Sequence, residues 1–102
     1  MRSRLRIVLT PQAVSDIKGA SAYYAGKDQE LSAQFVDGVD ALIRRIEMFP
    51  KGATPVDGFD ELRRARMRHF PYGIFYQQTQ AGELLVVRLL RARRHHPDAL
   101  DG

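Results

Sequence analysis

Residues 84–90, Leu-Leu-Val-Val-Arg-Leu-Leu, form a nearly unbroken apolar run in strand-forming residues. Successive side chains on a strand point to opposite faces of the sheet, so this strand carries apolar groups to both sides. Such a strand normally has both of its faces covered. The rest of the chain decides what is available to cover them.

Two helices precede it. Thr10-Pro11 reads as a helix start, with Thr as the N-cap and Pro at the first helical position. Ala13, Ile17, Ala20 and Tyr24 then fall on one helical stripe, and Gly26 marks its end. A second helix is predicted from about Asp28 to Met48. Leu31, Phe35, Val39, Leu42, Ile46 and Phe49 recur every three or four residues as a continuous seam, and Pro50 ends it. A short link between the two predicts an antiparallel helical hairpin.

The remainder reads as strand. Residues 4–9 place Leu5, Ile7 and Leu9 on one face. Residues 50–60 hold Pro50, Gly52, Pro55 and Gly58 and form a loop. Across residues 62–70, Arg64, Arg66 and Arg68 alternate with Ala65, Met67 and His69, until Phe70-Pro71-Tyr72 breaks the pattern. Residues 72–79 are rich in strand formers, and Gln80-Ala81-Gly82-Glu83 reads as a hairpin turn into the apolar run.

The expected order is therefore β-α-α-β-β-β. This is an α+β domain, a helical hairpin packed on one face of a mostly antiparallel sheet. The 102 residues suit a single domain over 1–102, with 1–3 and 98–102 expected to be flexible. The second face of the sheet has no helix left to cover it. It either curls over itself, lies under the tail, or meets a partner, and an uncovered apolar strip favours the partner.

Charge sharpens that expectation. The net charge is +4 and the pI near 9.9. Residues 1–9 carry a balance of +3, residues 10–61 of −4, and residues 62–102 of +5, all of it from Arg. Arginine suits bidentate contact with carboxylate or phosphate. The excess thus lies on the last strands and the tail, beside the uncovered strip. That pairing points first to a protein partner with acidic and apolar residues, and to nucleic acid second. Membrane association is not expected: no apolar run reaches the length of about 18 residues that a span needs, and no basic amphipathic helix carries the charge. Only Ile7-Val8-Leu9 follows the basic start, which predicts no signal peptide. There is no cysteine, so disulfides, thiolate metal sites and Cys nucleophiles are excluded, and a cytoplasmic setting fits.

Taken together, the element order, Leu9-Thr10-Pro11-Gln12-Ala13, Phe49-Pro50 with Gly52, Phe70-Pro71-Tyr72-Gly73-Ile74-Phe75-Tyr76 and Arg91-Ala92-Arg93-Arg94-His95-His96-Pro97 resemble the RelE/ParE toxin superfamily. The likeness spans about residues 4–97 and is nearest to the ParE, or plasmid-stabilisation, branch. It implies the toxin of a type II toxin–antitoxin system. Such a toxin is held inactive in a hetero-oligomer by a ParD-like antitoxin whose C-terminal segment orders on binding, which would supply the missing cover. It also implies one of two activities: inhibition of DNA gyrase through its cleaved-DNA complex, or cleavage of mRNA on the ribosome.

RNA cleavage needs a base, an acid and cations at the developing charge. The late Tyr of RelE-like enzymes is absent, since no Tyr follows Tyr76. His95 and His96 are the weak catalytic candidates, and a solvated tail is the plainer account of them. The three His show no metal-site spacing and there is no Gly-rich phosphate loop, so neither metal nor cofactor is expected. A binding toxin without hydrolytic chemistry is the better reading, with an mRNA endoribonuclease or an inactive regulatory homologue as alternatives. Arg64, Arg66, Arg68, Arg91, Arg93 and Arg94 are the expected target contacts. Arg64, Arg66, Arg68, Leu84, Val86, Arg88 and Leu90 are the expected antitoxin contacts.

Overall fold

A computed structural model describes residues 5–92. The elements run β1 (Arg6–Leu9), α1 (Pro11–Ala25), α2 (Gln29–Met48), β2 (Thr54–Pro55), β3 (Arg63–Arg66), β4 (Tyr72–Gln78) and β5 (Glu83–Arg91). The strands form one sheet in the order β1-β5-β4-β3-β2. The expected α+β architecture holds, with β3, β4 and β5 as an antiparallel meander. The sequence left the placement of β1 open: it lies parallel to β5 at one edge. The two-residue β2, inside the expected loop, adds the other edge.

Local chemistry sets the boundaries. Thr10 caps α1 by accepting the Ala13 amide at 3.0 Å on its hydroxyl, and Asp28 caps α2 by accepting the Glu30 amide at 2.9 Å. Gly26 ends α1 with ordinary right-handed backbone, so its lack of a side chain is not what stops the helix. Gly82, at φ +83°, does use its freedom to close the β4–β5 turn. The β3 strand ends at Arg66, earlier than alternation predicted, because the chain bends over Arg68–Pro71.

The core lies between the helices and one sheet face. Phe35, Ile74, Tyr76, Leu84 and Val86 are its largest fully buried side chains. Tyr24, Phe35, Phe70 and Tyr72 form an aromatic cluster with edge-to-face and tilted contacts between 5.0 and 6.4 Å. Tyr76 donates to the Pro50 carbonyl at 2.6 Å, which anchors the chain leaving α2. The expected helix seams hold, except that Phe49, at the C-cap of α2, is 62% exposed.

One irregularity changes which residues face the core. Phe75 pairs with Arg88 while Tyr76 pairs with Val86, leaving Val87 as an extra residue in β5. A bulge of this kind shifts the side-chain alternation beyond it. Leu84, Val86 and then Leu89 are buried, while Leu90 is 39% exposed.

Candidate functional site

Register defines the sheet face that the helices leave open. The covered rows are Ala65–Ile74–Leu89, Tyr76–Val86 and Ile7–Leu84–Gln78. The alternate rows, Arg66–Gly73–Leu90, Arg64–Phe75 and Gln77–Leu85–Val8, face the other way. No helix or strand among the described residues lies over that second face. It grades from arginine on β3 to apolar side chains on β5 and β1. Gly73 sits close to its neighbour strand: a Cβ there would lie 3.3 Å from the Ala65 carbonyl, tighter than usual, and in ordinary contact with Cγ of Arg64 at 3.5 Å.

The structure corrects the expected antitoxin contacts. Leu84 and Val86 have no exposed surface and belong to the core, so Leu85 takes their place on the open face. Plain alternation cannot tell the two faces of a run that is apolar throughout. Arg88 is held by Asp16 of α1, with Nε at 2.7 Å and Nη2 at 3.1 Å from its carboxylate oxygens. These hydrogen bonds hold the Asp16 carboxyl below its ordinary pKa and raise that of Arg88. Leu90 is accessible on the open face.

Among the described residues, the expected target contacts do not form one patch. Arg64 and Arg66 share the open face of β3, where Arg66 is exposed and Arg64 half-buried. Arg68 lies past the end of the strand and borders a depression beside α2, together with His69 and Phe70. Arg91 pairs with Tyr72 and its guanidinium lies 5.7 Å from that ring's centre, toward α1. Arg93, Arg94, His95 and His96 lie outside the described residues. Tyr72 and Tyr76 pack in the core and make no separate site. No group of His, Asp or Glu among the described residues is placed to hold a metal ion.

The residue that sequence reasoning missed is Arg45. It borders both the depression beside Arg68 and a second one shared with Arg64, Arg66 and Phe49. Its position in a stripe with Leu31, Gln34, Gly38 and Ala41 was the available signal. An arginine on the outer face of a helix reads as solvated unless the neighbouring strand is known.

Comparison with known proteins agrees with this geometry. The family described as the ParE toxin of the type II toxin–antitoxin system parDE matches residues 7–96. A chain of the chromosomal ParDE system from P. aeruginosa superposes with a TM-score of 0.76 at 14% identity, covering 88% of this chain and 98% of that one. The isolated E. coli RelE toxin superposes with a TM-score of 0.64 at 12% identity, covering 95% and 94%. At such identities the two structures speak for the fold alone. No curated protein matches the sequence.

Proposed function

The chain belongs to the ParE toxin family of type II toxin–antitoxin systems, and from that membership we propose that it inhibits DNA gyrase by binding and is neutralised by a ParD-like antitoxin. The observation that carries this reading is a family match over residues 7–96, nearly the whole chain. The surface supports a binding role. An open sheet face that joins Arg64 and Arg66 to Phe75, Leu85 and Leu90 suits a protein segment with acidic and apolar residues.

In this reading the antitoxin's ordering segment covers the open face and neutralises its arginines. Gyrase meets Arg64 and Arg66 when the antitoxin is removed, with the tail Arg93 and Arg94 as further contacts. The toxin adds no hydrolytic step of its own; it stabilises the state in which gyrase has cut its DNA. Action on gyrase places the chain in the cytoplasm. No helix among the described residues is long and apolar enough to cross a membrane.

The test is a gyrase reaction on supercoiled plasmid with the purified chain. Linear, gyrase-linked DNA should accumulate, and the antitoxin encoded beside this chain should abolish it. Normal supercoiling at saturating toxin would overturn the gyrase assignment. Codon-positioned mRNA cuts lost on His95→Ala or His96→Ala would instead assign the ribonuclease activity.

A further inference from the structure

The end of β5 meets α1 at a shallow cleft, and we propose that the chain's own segment Asp98-Ala99-Leu100-Asp101 folds back to fill it. The inference concerns the free chain and goes beyond the toxin reading, since it needs neither gyrase nor an antitoxin.

Two elements build the cleft. Gly19, Ala20 and Tyr23 come from α1, and Tyr72, Leu89 and Arg91 from the paired ends of β4 and β5. It holds about 520 Å³. Two of its features have no explanation among the described residues. Gly19 stands in the interior of α1, where glycine weakens a helix. A Cβ on it would meet nothing within 4 Å, so no close neighbour requires the bare backbone. One turn further on, Tyr23 presents a ring that is 52% exposed. A bare helix surface beside an exposed ring leaves room for one aliphatic side chain.

Charge at the rim narrows the choice. The Arg91 guanidinium lies 5.7 Å from the centre of the Tyr72 ring, and Nζ of Lys27 lies 5.1 Å from the centre of the Tyr23 ring. Neither cation is in an ion pair among the described residues. The carboxylate that lines the cleft, Asp16, is already engaged by Nε and Nη2 of Arg88 and by the Leu89 amide. The cleft therefore suits an apolar group flanked by acid.

The chain carries such a group within reach. The Ala92 amide donates to the Pro71 carbonyl at 2.8 Å, which brings the chain to the edge of the cleft beside Tyr72 and Arg91. Beyond it, Asp98-Ala99-Leu100-Asp101 sets one leucine between two carboxylates. The eight residues from Ala92 to Leu100 can span about 26 Å, ample for a reversal onto a cleft that begins at Arg91. Pro97, just before the segment, fixes the φ that a turn uses. In the proposed arrangement Leu100 seats over Gly19 between Tyr23 and Tyr72, with Asp98 and Asp101 toward the rim cations. Arg93 and Arg94 are then held at this end of the sheet.

The test is NMR of the full chain together with limited proteolysis. Leu100 methyls should show NOEs to the Tyr23 and Tyr72 rings, and residues 98–101 should match β5 in heteronuclear NOE. Leu100→Asp removes the apolar anchor, and Gly19→Leu fills the cleft from an exposed helical position that has space for it. Circular dichroism establishes that both variants are folded. Each should abolish the contacts and speed tryptic cleavage after Arg94 at least tenfold, because a docked segment has to open before a protease can take it. High salt should speed cleavage of the unaltered chain as well, by screening the rim pairs. The absence of these NOEs in the unaltered chain, or cleavage within twofold for all three chains, would overturn the proposal. So would NOEs from Leu100 to Phe75 or Leu85, which put the tail over the open sheet face, or contacts found only between labelled and unlabelled chains, which assign the cleft to the tail of a second copy. None of these results bears on the gyrase assay, so the two readings fail separately.

Discussion

Asp16 on α1 and Arg88 on β5, 72 residues apart, meet side-on: the carboxylate accepts Nε at 2.7 Å and Nη2 at 3.1 Å. The same carboxylate accepts the backbone amide of Leu89 at 3.0 Å. Thr10 adds a second hold, donating its hydroxyl to the Val87 carbonyl at 2.7 Å. Two side chains of the first helix and its cap therefore grip the β5 bulge from both sides. The bulge in turn decides which of Leu89 and Leu90 enters the core.

Asp16→Asn should make the fold less sensitive to acid. The folded-state pKa of Asp16 is depressed, chiefly by the Arg88 hydrogen bond. A carboxylate of this kind stabilises the fold above its unfolded pKa, and that stability is lost as pH falls through the lower folded value. The unaltered chain should therefore lose stability as pH falls below the ordinary Asp range near 3.8. Denaturant midpoints measured from neutral pH down through that range should fall more for the unaltered chain than for Asp16→Asn, while at neutral pH the variant is the less stable of the two.

Thr10→Val keeps the shape of the side chain and removes two hydrogen bonds at once, the α1 cap and the bond to Val87. Loss of a cap of this type costs about 0.5–2 kcal/mol. The second bond should place the variant toward the upper end, a fall in melting temperature of roughly 5–15 °C for a domain of this size. Calorimetry or thermal circular dichroism measures it. A change below about 1 °C would mean that the hydroxyl is not what holds the bulge.

Much of the fold was legible because its signals are local. The seam from Leu31 to Ile46 has the period of a helix, Thr10 and Asp28 sit where caps belong, and Gly82 marks its turn. The site was less legible because it depends on phase and on contacts distant in sequence. A run apolar on both sides gives no sign of which residues face inward, so Leu84 and Val86 could not be separated from Leu85. The extra residue at Val87 is fixed by Thr10 and Asp16, more than seventy positions away. Arg68 continued an alternation that the backbone abandons at Arg66. Arg45 reads as solvated until β3 is seen beside it.

Tyr76→Phe tests the anchor between the sheet and the end of α2. The ring is 1% exposed and its hydroxyl donates to the Pro50 carbonyl at 2.6 Å. Burial raises its pKa above the ordinary 10.0, so it stays protonated and keeps that bond throughout neutral pH. Removing only the hydroxyl should cost about 1 kcal/mol. Hydrogen exchange should speed up in residues 49–55, which the bond ties to the sheet, while the aromatic core around Phe35 keeps its protection.

Leu89 and Leu90 should respond in opposite ways to the same change. Leu89 is 2% exposed in the row with Ile74, and Leu90 is 39% exposed on the open face. Leu89→Asp forces a carboxylate into an apolar core, where it has to be neutralised or the fold opens. That variant should be largely unfolded by circular dichroism. Leu90→Asp places its charge in water beside the arginines of β3 and should change stability by no more than about 0.5 kcal/mol. Under the proposed function its effect should appear in the complex, where a charge replaces an apolar group on the face proposed for the antitoxin, so the antitoxin should dissociate at least tenfold faster. Uninterrupted alternation from Leu84 would assign the two roles the other way round, with Leu90 essential to folding and Leu89 dispensable. The pair of variants therefore reports the phase shift at Val87 and the accessibility of the open face in one experiment.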